Sequence, residues 1–302
     1  MALLNKVPTS SARPAAAAAP RRTARKQVSV YLRLAHLALA LWALIVIAPV
    51  VFVFLGSFKN NTEIFGSPLS LPGAFRLGNW VRAWQTAHVG RYLVNTVLVV
   101  AGGVTLTMLL GSMAAYVLAR YTFPGNRAVY YLFVAGMTFP MFLALVPLFF
   151  VVRNLGLLGT HTGLILAYAA YSLPFTVFFL TAFFKTLPTS VAEAALIDGC
   201  SHVRIFFQVM LPMAKPGLVS LAIFNIIGQA NQYLLPMALL PGDAQDKFVL
   251  TQGISNISVE AGYQADWGGL FAALSISVVP LLVVYVLFHR QIQSGLTAGA
   301  LK

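Results

Sequence analysis

The chain has 302 residues, of which 59% are hydrophobic and 9% charged, with a formal net charge of +13. A soluble domain of this size could not keep that balance without large exposed apolar patches, so its solvent is the bilayer. The positive charge does not indicate nucleic acid, because the basic residues gather beside the ends of apolar tracts as the positive-inside rule requires.

In chain order, residues 1–30 come first, rich in Ala, Pro and Arg and without hydrophobic periodicity. They are expected to form a disordered basic cytoplasmic tail. A cleaved signal peptide fits less well, since the following apolar tract is longer than an h-region and no clear cleavage site follows it. Six long uncharged tracts succeed it, at 34–58, 92–119, 128–152, 154–184, 216–242 and 267–289. Each exceeds the ~20 residues a helix needs to cross about 30 Å of hydrocarbon. They predict spans at about 34–57, 93–118, 129–152, 162–184, 218–240 and 268–289. Stretches such as ALWALIVIAPVVFVFL are apolar all round, unlike the alternating strands of a barrel. The predicted fold class is therefore an all-α integral membrane protein, six transmembrane helices in one domain over 31–302.

With the N-terminus in the cytoplasm, inside segments hold 14 of the 20 Lys/Arg and two of the seven acids. Both termini then face the cytoplasm, although Arg76, Arg82 and Arg91 in the first outside loop oppose the bias. That loop, 59–91, carries Pro68, Pro72 and Gly73 and then NWVRAW, whose tryptophans suit the membrane interface. Pro49, Pro140 with Pro147, Pro174, Pro236 and Pro280 fall in five of the six spans. They read either as hinges for alternating access or as the ordinary proline content of membrane helices.

Between spans four and five, in the loop 185–217, lies a polar stretch, EAALIDGCSHVRIFFQVMLP, from Glu193 to Pro212. Ser190 with Glu193 reads as a capping box, predicting a helix that runs to Asp198. Gly199 suits the left-handed residue that closes it. A second helix is expected from Ser201 through Met210, stopped by Leu211-Pro212. Ala192, Ala195 and Gly199 form a stripe of small residues on the first helix, which reads as a docking surface. Asp198 opposes the helix dipole and calls for a partner. Glu193 is explained by capping alone as readily as by contact. In span five, Asn225, Gln229, Asn231, Gln232 and Tyr233 lie within nine residues, beside Pro236. Polar groups are costly in lipid, so these face either a substrate path or neighbouring helices; Tyr168, Tyr171 and Ser172 of span four are weaker candidates.

The lone Cys200 forms no intramolecular disulfide, and no cysteines or histidines have metal-ligand spacing. His36, His88, His161, His202 and His289 sit at span ends or in loops, which disfavours a proton relay.

The pattern Glu193-Ala194-Ala195, Gly199, Val209 and Leu211-Pro212 resembles the EAA loop of permease subunits of bacterial ABC importers. Val209 replaces the more usual Ile, and Cys200 a common Ala. SFKNNTEIF at 57–65, NWVRAW at 79–84, GRYLVNT at 90–96 and GLTAGALK at 295–302 resemble the carbohydrate-uptake branch, similar to the maltose permease G protein. Ala230-Asn231-Gln232-Tyr233 departs from the Trp-Asn-Glu-Phe frequent in that branch. The resemblance implies a coupling helix in which Glu193, Ala194, Ala195, Asp198, Gly199, Leu211 and Pro212 meet an ATPase subunit. It also implies a second permease subunit in a heterodimer, an ATPase dimer, an extracytoplasmic substrate-binding protein and a sugar or oligosaccharide substrate. The chain has no GxxxxGK[ST] loop, so no cofactor is expected of its own and ATP belongs to the partner. The competing reading is a stand-alone secondary carrier or channel for small polar solutes; a membrane scaffold is a third.

Overall fold

The computed structural model describes residues 21–264 and 266–300, with side chains over 32–262 and 266–289. Among these residues every regular element is helical. The order is α1 (Arg21–Gly56), α2 (Asn61–Gly66), α3 (Gly78–Gln85), α4 (Val89–Arg120), α5 (Asn126–Thr138), α6 (Met141–Asn154), α7 (His161–Thr186) and α8 (Thr189–Ile197). Next come α9 (His202–Ile205), a π-turn (Phe206–Met210), α10 (Leu211–Met213), α11 (Lys215–Ala230) and α12 (Leu234–Leu239). A 3-10 turn (Gly242–Lys247), α13 (Leu250–Gln264) and α14 (Trp267–Ala300) complete the chain. The expected tail lies outside the described residues up to residue 20, and from Arg21 the backbone is already helical.

Residues to Val51 form one unit and those from Phe52 a second. Four helical stretches are long and apolar enough to cross a bilayer: Leu32–Gly56, Val89–Arg120, His161–Thr186 and Trp267–His289. Two bent pairs bring the number to six if each pair is one span.

The first of these pairs, and a separate break after α11, interrupt two spans expected to be continuous. The third breaks between α5 and α6 with a bend of 105°. Pro140 lacks an N–H and drives Phe139 out of the helical region, where it lies extended at ψ 121°. The fifth breaks between α11 and α12 at Asn231–Tyr233. In a continuous helix the Pro236 ring would strike the Gln232 carbonyl four residues back. The break frees that carbonyl, and the Thr251 hydroxyl donates to it at 2.6 Å.

Within the second unit α4 packs along α7, and α5 and α11 also lie against α7. Both α4 and α7 run from one apolar cluster, with Val89, Val99, Leu164 and Tyr168, to another, with Tyr116, Leu118, Leu180 and Phe184. The two helices are thus parallel, as alternate spans of a serpentine membrane chain must be. Between the clusters lies a buried polar layer of Thr107, Thr176, Asn225 and Gln229. Gly111 lets α7 come close here, since a Cβ on it would sit 2.5 Å from Thr176 Cγ2.

Candidate functional site

The hairpin of α8 and α9 begins at Pro188, whose extended backbone places Thr189 first in the helix. Glu193 is then the fifth helical residue rather than the third and is exposed, so the expected capping box does not form. At the other end Gly199 takes φ +80°, closed by Cys200 N–H to Ala195 O and Gly199 N–H to Leu196 O, both 3.0 Å. This is the two-bond Schellman closure that a glycine makes cheaply. Ser201 then caps α9, its hydroxyl accepting from Arg204 N–H at 3.4 Å.

The small-residue stripe divides. Ala192 and Ala195, with the neighbouring Cys200, pack against the chain's own cluster of Ile205, Phe206 and Met210, while Gly199 is exposed. Small side chains here allow α8 to lie close on the π-turn. The outward face carries Glu193, Ala194 and Asp198 with Leu196, Ile197 and Val203, and Ile197 is 86% exposed. Neither Glu193 nor Asp198 has a side-chain partner among the described residues.

Sequence reasoning missed how the hairpin is tied down. Arg120, ending α4, donates to Leu187 O, and Tyr121 Oη lies 3.0 Å from His202 Nδ1. The rings of Tyr116 and Phe206 meet at 5.1 Å. The sequence offered only a basic and aromatic cluster, ARY, at the end of span two. Nor does Leu211-Pro212 stop the second helix: the chain stays helical to Met213 and turns by 77° into α11. The π-turn accounts for this, with Leu211 N–H reaching back to Phe206 O. A wider turn just ahead of Pro212 accommodates a ring that has no N–H to give.

The five polar residues of span five divide. Asn225 Nδ2 donates to Thr176 Oγ1 at 3.1 Å, and Gln229 Nε2 to Thr107 Oγ1 and Ser172 Oγ at 3.3 and 3.1 Å. These bonds knit α11 to α4 and α7. The same two residues, with Gln232, also line a cavity of about 310 Å³ with Tyr171, Ser172 and Phe175. No lining residue is an acid or a base apart from the tyrosine phenol. Asn231 and Tyr233 instead border an apolar cavity of about 560 Å³, where Tyr233 Oη lies 3.0 Å from Ser255 Oγ. Tyr168 is buried in the apolar cluster. Among the described residues no three His, Cys, Asp or Glu side chains could hold a metal ion.

The helical hairpin thus lies between two stretches able to span a membrane, with a neutral polar cavity along the second. Residues 107–297 match the family described as binding-protein-dependent transport system inner membrane component, and the chain belongs to that family. It is 52% identical over 269 residues to the diacetylchitobiose uptake system permease protein NgcG of Streptomyces coelicolor, covering 89% of this chain and 88% of that one. It is 33% identical to the trehalose/maltose transport system permease protein MalG of Thermococcus litoralis, covering 87% and 94%. The fold matches a chain from the crystal structure of a bacterial ABC transporter involved in the import of the acidic polysaccharide alginate. There the TM-score is 0.77 at 22% identity, with 87% of this chain and 96% of that chain covered. The chain is accordingly a transport subunit of an ABC importer, not an enzyme.

Proposed function

We propose that this subunit forms half of the translocation path of a carbohydrate importer, with its α8–α9 hairpin in the cytoplasm seated on an ATPase dimer. A second permease completes the path, and an extracytoplasmic binding protein delivers the sugar. The observation that carries this reading is the outward face of the hairpin. Ile197 and Val203, 86% and 68% exposed, stand beside the unpartnered Glu193 and Asp198, an apolar anchor with a charged rim. Interfaces are built that way. Closure of the ATPase would press on α8, and the π-turn and α10 would carry the movement into α11 and its polar layer.

The cavity at Asn225, Gln229 and Gln232 is the intramembrane station of this path, whereas Asn231 and Tyr233 at the helix break border the apolar cavity instead. Amide and hydroxyl groups without a fixed charge suit a neutral sugar with acetamido groups. The relative named for diacetylchitobiose uptake supports the same class.

Ile197→Asp tests the coupling role. The variant should insert and pair with the second permease, lose the co-purifying ATPase, and abolish uptake. Unchanged uptake would refute the assignment, and sugar flux through the purified chain alone without ATP would establish the stand-alone carrier instead.

A further inference from the structure

The cavity between α5, α7 and α11 is lined by polar groups of two kinds. Asn225 and Gln229 are 6% and 3% exposed, and their amide protons are already committed. Asn225 Nδ2 donates to Thr176 Oγ1 and, at 3.2 Å, to Leu221 O of its own helix. Gln229 Nε2 serves Thr107 and Ser172, and its Oε1 is turned toward α4, 2.4 Å from where a Cβ on Gly103 would stand. These two amides are spent on holding helices together. Gln232 differs: it is half-buried in the break after α11, and its side-chain amide has no hydrogen-bond partner among the described residues. The Tyr171 hydroxyl has none either.

The free amide shares the cavity with an aromatic wall. Tyr171 and Phe175 are one helical turn apart on α7 and so lie on one face of it. With Phe139 at the break before α6, they are 50%, 40% and 56% exposed. Neither Tyr171 nor Phe139 has a ring partner among the described residues. An aromatic face needs no partner in lipid, but an unpaired amide and phenol do. A sugar ring supplies both: its C–H face meets the electron-rich face of an aromatic ring, while its hydroxyl and acetamido groups exchange hydrogen bonds with amide and phenol. A lipid chain would leave Gln232 and the phenol unpaired, and a charged solute would find no opposite charge on the lining. The cavity of about 310 Å³ has the volume of about ten waters, room for one substituted pyranose ring and not for two.

We infer that this cavity reads a single pyranose ring of an oligosaccharide, stacked on Tyr171 and Phe175 and hydrogen-bonded by Gln232 and the Tyr171 hydroxyl. With the cavity as the station of the sugar path, the reading on which this rests, these three are its specificity-determining residues. Asn225 and Gln229 are positioning residues that hold the helices around it. Further rings of the substrate lie outside the cavity, so this subunit selects the kind of ring and not the length of the oligosaccharide.

The test is transport by the fully assembled importer in vesicles, with labelled diacetylchitobiose and its trisaccharide homologue as probes, read as sugar carried per ATP hydrolysed. Tyr171→Leu and Gln232→Leu should each lower that ratio about two- to ten-fold, with assembly and ATP hydrolysis intact. Phe178→Leu removes an aromatic of the same helix that does not line the cavity, and it should leave the ratio unchanged. The factor should be the same for both probes, because one ring occupies the cavity; a loss that grows with chain length would overturn the single-ring reading. Gln229→Leu should lower the Tm of the assembled importer, whereas Gln232→Leu should not; the reverse would exchange the two roles and overturn the assignment. An unchanged ratio in both Tyr171→Leu and Gln232→Leu, or an equal fall with Phe178→Leu, would overturn the site while leaving the sugar path in place. A wild-type importer that carries neither probe would overturn the proposed sugar class, and this site with it.

Discussion

Single side chains decide two features of this permease, one in the membrane and one at its surface. Gly111 sits where a Cβ would lie 2.5 Å from Thr176 Cγ2, and a β-branched threonine on a packed helix cannot swing away. Gly111→Ala should therefore cost about 1–3 kcal/mol, seen as a lower Tm in detergent. Gly262→Ala, with open space around it in α13, should be neutral or slightly stabilising. At the surface, the hydrogen bond from Arg82 holds the Asp266 carboxyl below its usual range, partial burial acts against this, and Gly269 N–H adds to it. A lowered folded value means that the pair stabilises above the ordinary carboxylate range and ceases to as pH falls through the lowered value. The pair is half-exposed, so the effect is under about 1 kcal/mol. Asp266→Asn keeps an oxygen for Gly269 N–H, so its Tm deficit reports the ion pair, and that deficit should shrink on acidification. A deficit constant with pH would contradict this.

At the level of elements, legibility followed the physics of each signal. Straight apolar helices were readable because length and hydropathy alone define them, and α4, α7 and α14 contain the expected stretches. Gly199 was readable too, because only a residue tolerant of positive φ fits after Asp198. The breaks at Pro140 and before Pro236 were not, since a proline in a membrane helix is consistent with a kink, a break or neither. The inward turn of Ala192 and Ala195 was hidden for a related reason: small residues announce close packing without saying against what. The polar residues of span five proved ambiguous because Asn225 and Gln229 both bond across helices and line a cavity. Least visible was the link of Tyr121 to His202, which depends on two residues 81 apart in sequence. Tyr121→Phe removes that link with little loss of volume. It should slow uptake by roughly two- to ten-fold, the worth of one hydrogen bond, with assembly intact. Uptake at the wild-type rate would show that the Tyr121–His202 link takes no part in transport.

The proposed orientation, with both termini in the cytoplasm, has a direct check. In a Cys200→Ser background, Ile197→Cys should react with a membrane-impermeant maleimide only in inverted vesicles, and Leu71→Cys only in intact cells. The reverse pattern would turn the protein over and place the hairpin outside. The π-turn at Phe206–Met210 bears on the molecule as a whole in another way. It holds one residue more than an α-helical turn would, and that surplus sets the phase of everything after it. Deleting a single residue there would restore an ordinary turn and rotate the chain beyond it by about 100° about the axis of α9 and α10. Since α11 leaves that axis at 77°, the whole helix would swing and Asn225 and Gln229 would part from their partners, although no residue touching them had changed. Insertions and deletions in this short stretch are thus a more severe test of the protein than any substitution in the cavity itself.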